Sequence, residues 1–212
     1  MALVFIDLDG TLIEGTGSER LFFRFLLKKR LLGPLQAVSF LSFAVRYLPR
    51  FGSDVWKKNK AYLAGLQERD VHEAARVFAG ECLSKSIRRE MKERIARHRH
   101  EGDETILLTG SLLALAEPLA RHAGIDRVAA TICAAENGRF EALPPLVHPF
   151  RGEKRHIAES MCREKGVALR ECAAYGDSIH DLPLLEAVGT AVAVHPDRRL
   201  EKIARRRLWE IL

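Results

Sequence analysis

The run Val4-Phe5-Ile6-Asp7-Leu8-Asp9-Gly10-Thr11-Leu12-Ile13 constrains this chain more than any other stretch. It opens as an apolar, partly β-branched segment, which suits a strand buried on both faces of a parallel sheet. The segment ends in two aspartates two positions apart, followed by a glycine that frees the backbone to turn. Carboxylates delivered to the end of a buried strand lose water, which is unfavourable unless a counter-charge is at hand. A bound cation is the usual compensation. In open α/β sheets, ligands sit in the crevice at the carboxyl ends of the strands. Taken alone, the motif also reads as a strand followed by an ordinary Asp-Gly turn.

The rest of the chain supplies the sheet. Strand patterns recur at 105–111, 128–133, 171–175 and 190–194, and 209–212 reads as a final edge strand. Between them lie helical patterns at 112–122, 152–165, 182–188 and 197–206. Asn137-Gly138 marks a hairpin turn. Strands alternating with helices imply a parallel, doubly wound α/β sheet. Residues 19–100 show only helical periodicity, so the chain divides into an α/β core (1–15 and 101–212) and an inserted helical domain (16–100).

Within the insert, Ser18 is a candidate N-cap. Gly33-Pro34 ends the first helix. Leu35, Val38, Leu41, Val45 and Leu48 form the apolar stripe of the second, with Gln36, Ser39, Ser42 and Arg46 opposite, and Pro49 ends it. A third helix is expected over 53–66. A fourth starts at Asp70, with Glu73 completing a capping box. Ile87, Met91 and Ile95 mark a fifth.

Charge and cysteines narrow the function classes. The 212 residues carry 34 basic and 28 acidic side chains, a net charge of +6. That excess suits a phosphorylated substrate or an anionic surface. No basic tail or basic-aromatic motif accompanies it, so no nucleic-acid partner is expected. Four cysteines without a Cys-x-x-Cys pair read as reduced thiols of a cytoplasmic protein. The N-terminal apolar run breaks at Asp7 and lacks a basic leader, unlike a signal peptide. The uncharged stretch 31–45 is short for a membrane span.

Four polar clusters fall at expected strand ends or a helix start: Asp7/Asp9, Thr109-Gly110-Ser111, Lys154 and Asp177/Asp181. Several carboxylates in one cleft need a cation and a lysine between them. Hard oxygen ligands point to Mg²⁺ rather than zinc. Singly, Thr109 reads as a strand-end hydroxyl, Lys154 as a solvated helix lysine and Asp181 as an N-cap. His98, His100, His148 and His195 read as solvated or loop residues, and His180 lies between the two later aspartates.

In this order the clusters resemble the four motifs of the haloacid dehalogenase superfamily of phosphohydrolases, in its phosphoserine-phosphatase-like branch. Asp7-Leu8-Asp9-Gly10-Thr11, Thr109, Lys154 and Gly176-Asp177-Ser178-x-x-Asp181 carry the resemblance, and Asp181-Leu182-Pro183-Leu184-Leu185-Glu186 fits the branch. The resemblance implies that Asp7 is the nucleophile and Asp9 the general acid and base. Thr109, Gly110 and Lys154 would hold the phosphoryl group. Mg²⁺ would sit on Asp7, the Asp9 main-chain carbonyl and Asp177, with Asp181 supporting Lys154 or the metal. The insert would be a mobile cap hinged near Thr16 and His100.

The implied reaction is Mg²⁺-dependent phosphomonoester hydrolysis. Phosphoryl transfer to an alcohol would use the same residues, and a binding module built on the insert is the reading from another class. Phosphoserine phosphatases place an acid where this chain has Thr16, with Glu14 and Glu19 nearby, so phosphoserine is not the expected substrate. A small or amphiphilic phosphate is expected, a lipid headgroup included. The basic and aromatic residues of the first two helices allow peripheral contact with an anionic membrane. The oligomeric state is not legible.

Overall fold

β1 (Leu3–Ile6) is buried at every position, as its uniformly apolar sequence requires. In the computed structural model, which describes residues 2–15 and 17–212, it lies at the centre of a six-stranded sheet. The other strands are β2 (Glu104–Leu112), β3 (Arg127–Thr131), β6 (Ala173–Gly176), β7 (Thr190–Ala193) and β8 (Glu210–Ile211), while β4 (Ala135–Glu136) and β5 (Arg139–Phe140) form a separate hairpin. The sheet order is β3-β2-β1-β6-β7-β8, and every pairing is parallel. The order reverses at β1, which is where a doubly wound sheet opens its crevice.

Alternation along the strands feeds two cores. Val4 and Ile6 face one, with Leu107 and Tyr175. Leu3 and Phe5 face the other, with Ile106, Leu108 and Ala174. The first is covered by α1 (Ser18–Lys28), α4 (Glu68–Phe78), α5 (Arg89–His100) and α6 (Leu113–Ala123), the second by α7 (Gly152–Lys165), α8 (Leu182–Leu185) and α9 (Arg198–Arg207). The expected α/β class and strand positions agree with this architecture. In the β4–β5 hairpin, Asn137 and Gly138 both adopt positive φ, the geometry of a primed two-residue turn.

All the helices from α1 to α5, including α2 (Pro34–Phe51) and α3 (Val55–Lys58), lie between β1 and β2 in sequence. Here several expectations fail. The expected apolar stripe of α2 faces outward: Leu35, Val38, Leu41, Val45 and Leu48 are all exposed, and Val45 keeps 78% of its surface. Phe43 on the other side is buried at 2%, and even Gln36 is buried, its amide donating to the Ala64 carbonyl at 3.0 Å. The sequence of α2 is apolar on two sides, and the aromatic side wins because it buries more area.

Pro49 lies inside α2 rather than ending it. The carbonyl deprived of its donor belongs to Val45, whose side chain is exposed, which leaves that carbonyl open to solvent. The third helix breaks into two single 3₁₀ turns around α3. There the Asn59 amide donates to the Phe40 carbonyl at 2.9 Å instead of continuing a helix. α4 begins at Glu68, two residues before the expected Asp70, and Glu73 pairs with Arg76 at 2.7 Å. α1 is capped by Gly17, not Ser18. Thr16, expected at the hinge, lies outside the described residues.

Candidate active site

The Asp7 carboxylate stands immediately beyond β1, where parallel strands end and their side chains meet. Opposite it, β2 departs from regular pairing with β3. Leu108 pairs with Ala129 and Leu112 with Thr131, so four steps along β2 match two along β3. Such a bulge re-aims side chains, here those of Thr109, Gly110 and Ser111. The Thr109 hydroxyl accepts the Ser111 N–H at 3.1 Å. A side chain at Gly110 would crowd the Pro149 carbonyl, 3.3 Å from the position of a Cβ.

Lys154 sits in the first turn of α7 and is buried, not solvated as a helix lysine read by itself would be. Its ammonium donates to Asp7 Oδ1 and to Asp181 Oδ1, each at 2.5 Å. Burial works against the charge on Lys154, but Asp181 and Asp7 outweigh it and hold its pKa above the usual lysine value. The Ser178 N–H and hydroxyl donate to the second oxygen of Asp181 at 3.3 and 3.1 Å. Asp181 precedes α8, but its side chain caps nothing there.

Two carboxyls carry the opposite imbalance. Burial, aided by Asp181 and Asp9 and opposed by Lys154, raises Asp7 to about 7. Burial and the charges of Asp7 and Asp181 raise Asp177 to about 8. One lysine does not balance this acidic group, and positive charge added there would be stabilised.

The residues fit a hard divalent cation. Asp7, Asp177 and Asp181 each offer an oxygen, all within 4.8 Å of one another. A Cβ at Gly10 would fall 2.1 Å from Asp177 Oδ2, so only glycine leaves that carboxylate its place. The Asp9 carboxylate is directed elsewhere: it accepts from the Ser18 N–H at 2.7 Å, the Ser18 hydroxyl at 2.9 Å and the Ser111 hydroxyl at 3.1 Å. Of Asp9, the main-chain carbonyl is the group left for a metal.

All seven expected site residues, Asp7, Asp9, Thr109, Gly110, Lys154, Asp177 and Asp181, line one cleft of about 930 Å³. Its outer wall comes from the helical insert and is largely apolar, with Phe23, Leu27, Leu32, Phe40, Leu41 and Trp56. Glu19 also reaches the cleft. Its carboxylate accepts from Lys60 at 2.5 Å and from the Tyr62 hydroxyl at 2.8 Å.

Other residues escaped the sequence reading. His148 lies in a loop, as expected, but is buried there. The Thr131 hydroxyl gives its single proton to the Gly110 carbonyl at 2.7 Å, so His148 Nδ1, 2.9 Å away, must be the donor of that pair. Burial and then the nearby lysines push His148 down to about 3, keeping it neutral. Phe150 packs between His148 and His180, with ring centroids 5.8 and 5.0 Å away, and His180 lines the cleft. Burial and Arg151 lower the His180 pKa. His98 is no solvated residue either: it bonds Asp103 at 3.1 Å and the Tyr175 hydroxyl at 2.9 Å, away from the cleft.

Comparison with known proteins identifies the family and the fold. Residues 4–186 match a family model described as haloacid dehalogenase-like hydrolase. The chain is 29% identical to the phosphoserine phosphatase SerB1 of Mycobacterium tuberculosis, over 99% of this chain and 70% of that protein. It is 27% identical to a histidinol-phosphatase of Neisseria meningitidis, over 99% and 97% respectively. A crystal structure of a Bordetella pertussis protein of unknown function superposes with a TM-score of 0.83 at 25% identity, covering 100% of this chain and 97% of that one.

Proposed function

The chain belongs to the haloacid dehalogenase-like hydrolase family and is a phosphatase, and from that premise we propose that it hydrolyses small or amphiphilic phosphate monoesters through a phosphoryl group carried on Asp7. The observation that carries this reading is the pair of 2.5 Å contacts by which buried Lys154 joins Asp7 to Asp181. A lysine so placed orients the nucleophilic carboxylate and leaves positive charge beside the incoming phosphorus.

In the first step an Asp7 carboxylate oxygen attacks phosphorus and the bond to the ester oxygen breaks. Asp9 gives its proton to the leaving alkoxide. In the second step water attacks the acyl phosphate, Asp9 takes the proton from that water, and inorganic phosphate leaves Asp7. One carboxyl thus serves as acid and then as base. The Thr109 hydroxyl, the Gly110 N–H and Lys154 hold the phosphoryl oxygens and counter their charge. Mg²⁺, held by Asp7, the Asp9 main-chain carbonyl and Asp177, would supply the charge that neutralises the acidic cluster and the phosphoryl group. Asp181 keeps Lys154 in position. Residues 16–100 act as a cap that shields the cleft and selects the substrate. An alcohol in place of water would turn the same steps into phosphoryl transfer.

The apolar outer wall supports an organic group of some size. A second reading has one specific support. Glu19 is a cleft carboxylate outside the acidic cluster, and a substrate ammonium could displace Lys60 from it, as an amino-alcohol phosphate would require. The test is phosphate release with and without Mg²⁺ across phosphoserine, histidinol phosphate and short-chain lipid phosphates, for wild type and Asp7→Asn. Mg²⁺-dependent release that falls by orders of magnitude in Asp7→Asn supports the mechanism. Near-normal release by the variant would overturn it, and the order of kcat/KM decides between the substrates.

A further inference from the structure

α2 has two apolar faces, and the protein covers only one. Phe43 packs inward against Val55 and Ala61, with Tyr47 and Phe51 beside them. On the other side, Leu35, Val38, Leu41, Val45 and Leu48 recur at three- and four-residue spacing, and each leaves half or more of its surface exposed. The row runs for roughly 20 Å at the rise of an α-helix. Scattered exposed leucines need no explanation, but a continuous apolar row does.

The charge around this row is one-sided. From Arg20 to Ser53 the chain has seven basic residues and no acidic one. Lys28, Lys29 and Arg30 lie exposed where α1 passes to α2, and Arg46 and Arg50 are exposed on α2 itself. A second copy of this chain is disfavoured as the occupant. A two-fold interface sets the same patch against itself, so the basic residues would oppose their own copies. No helix among the described residues is long and apolar enough to cross a membrane.

We propose that the outer face of α2 rests on an anionic lipid bilayer, with the helix parallel to the surface. Its aliphatic row would enter the boundary between headgroups and acyl chains while the basic residues meet lipid phosphates, the arrangement of interfacial amphipathic helices. Leu41 belongs both to this row and to the wall of the cleft. The docked face therefore borders the cleft mouth, and an amphiphilic substrate could pass from bilayer to site without crossing water. The proposal concerns binding alone and does not depend on which phosphate is cleaved.

The test uses the full chain and sedimentation with vesicles of phosphatidylglycerol and phosphatidylcholine, or of phosphatidylcholine alone, at low and high salt. Wild type should sediment with the anionic vesicles at low salt, much less at high salt, and little with neutral ones. The double variant Val38→Asp, Val45→Asp should bind at least about tenfold more weakly, the order expected for withdrawing valine side chains from an apolar phase. Neither valine lines the cleft, so hydrolysis of soluble p-nitrophenyl phosphate should be unchanged and reports that the variant is folded. Equal vesicle binding by variant and wild type would overturn the proposal, as would no binding at all. A concentration-dependent dimer abolished by the same substitutions, without vesicle binding, would instead assign the row to self-association.

Discussion

The α/β core and the helical insert solve different problems. In the core, most polar site groups are held by a partner of opposite charge or a hydrogen-bond donor: Lys154 lies between Asp7 and Asp181, and Ser111 beside Asp9. In the insert, the apolar residues of α2 exceed what its small interior can hold, and five of them stay exposed. The core's geometry is over-determined by electrostatics. The insert's is set by which of two apolar faces packs better, and the losing face remains on the surface. The contrast teaches that the acidic cleft is specified by partners, whereas the inserted helices are specified by surplus.

Substitutions can break that comparison. The largest effect is expected in the core. Lys154→Ala removes the cation between two carboxylates and the charge beside the phosphoryl group. Turnover should fall by about a thousandfold, near the upper end for loss of one transition-state donor. A loss under tenfold in steady-state phosphate release would mean that Lys154 is not part of the reacting centre.

On the inner face of α2, Phe43→Ala should lower unfolding stability by about 3 kcal/mol, near the low end for such truncations because its cluster is small. Denaturant titration checks this. No loss would show that the inner aromatic face is not what holds the helix down.

Mg²⁺ should change stability in a pH-dependent way. Asp7 and Asp177, at about 7 and about 8 in the folded chain, hold protons that the unfolded chain releases near pH 4. Between those limits the folded state binds more protons, so these two groups make the metal-free protein less stable as pH rises. Mg²⁺ competes with those protons. Its stabilisation should grow up to about pH 8 and reach about 2.7 kcal/mol at a hundredfold excess over Kd. Thermal melts with and without Mg²⁺ across this range would refute the acidic site if the shift were flat with pH.

The smallest effect belongs to the outer face of α2. Val45→Ser should change stability by less than about 0.5 kcal/mol, because the side chain is already exposed. A loss comparable to Phe43→Ala would erase the distinction between the two faces.

These contrasts explain what was legible in the sequence. β1 could be read because a central parallel strand is apolar on both sides, so no choice of face arises. Asp7, Asp9 and Gly10 follow it covalently, and Lys154 and Asp181 follow from the position of a helix start. α2 could not be read in the same way. Periodicity detects an apolar face, but with Leu35-Val38-Leu41 on one side and Phe40-Phe43-Tyr47 on the other it does not say which is inside. Ser18 was misread, and the burial of His148 missed, for another reason. The partner of Ser18, Asp9, is nine residues away across a turn. That of His148, Thr131, lies on a neighbouring strand, and only tertiary contact gives either residue its role.

The hydrogen bonds between Ser18 and Asp9 bear on the order of events. Ser18 opens the first helix of the insert, yet it supplies two of the three donors to the Asp9 carboxylate. Any outward swing of α1 must therefore strip that carboxyl down to Ser111 alone, and any return must re-form the contacts. On the mechanism proposed above, admission to the cleft and readiness of its proton carrier would be geared together, like a latch whose bolt is also the trigger. The acyl phosphate on Asp7 would, on the same mechanism, be shielded by construction, because the carboxyl that would summon water is fully positioned only while α1 is docked.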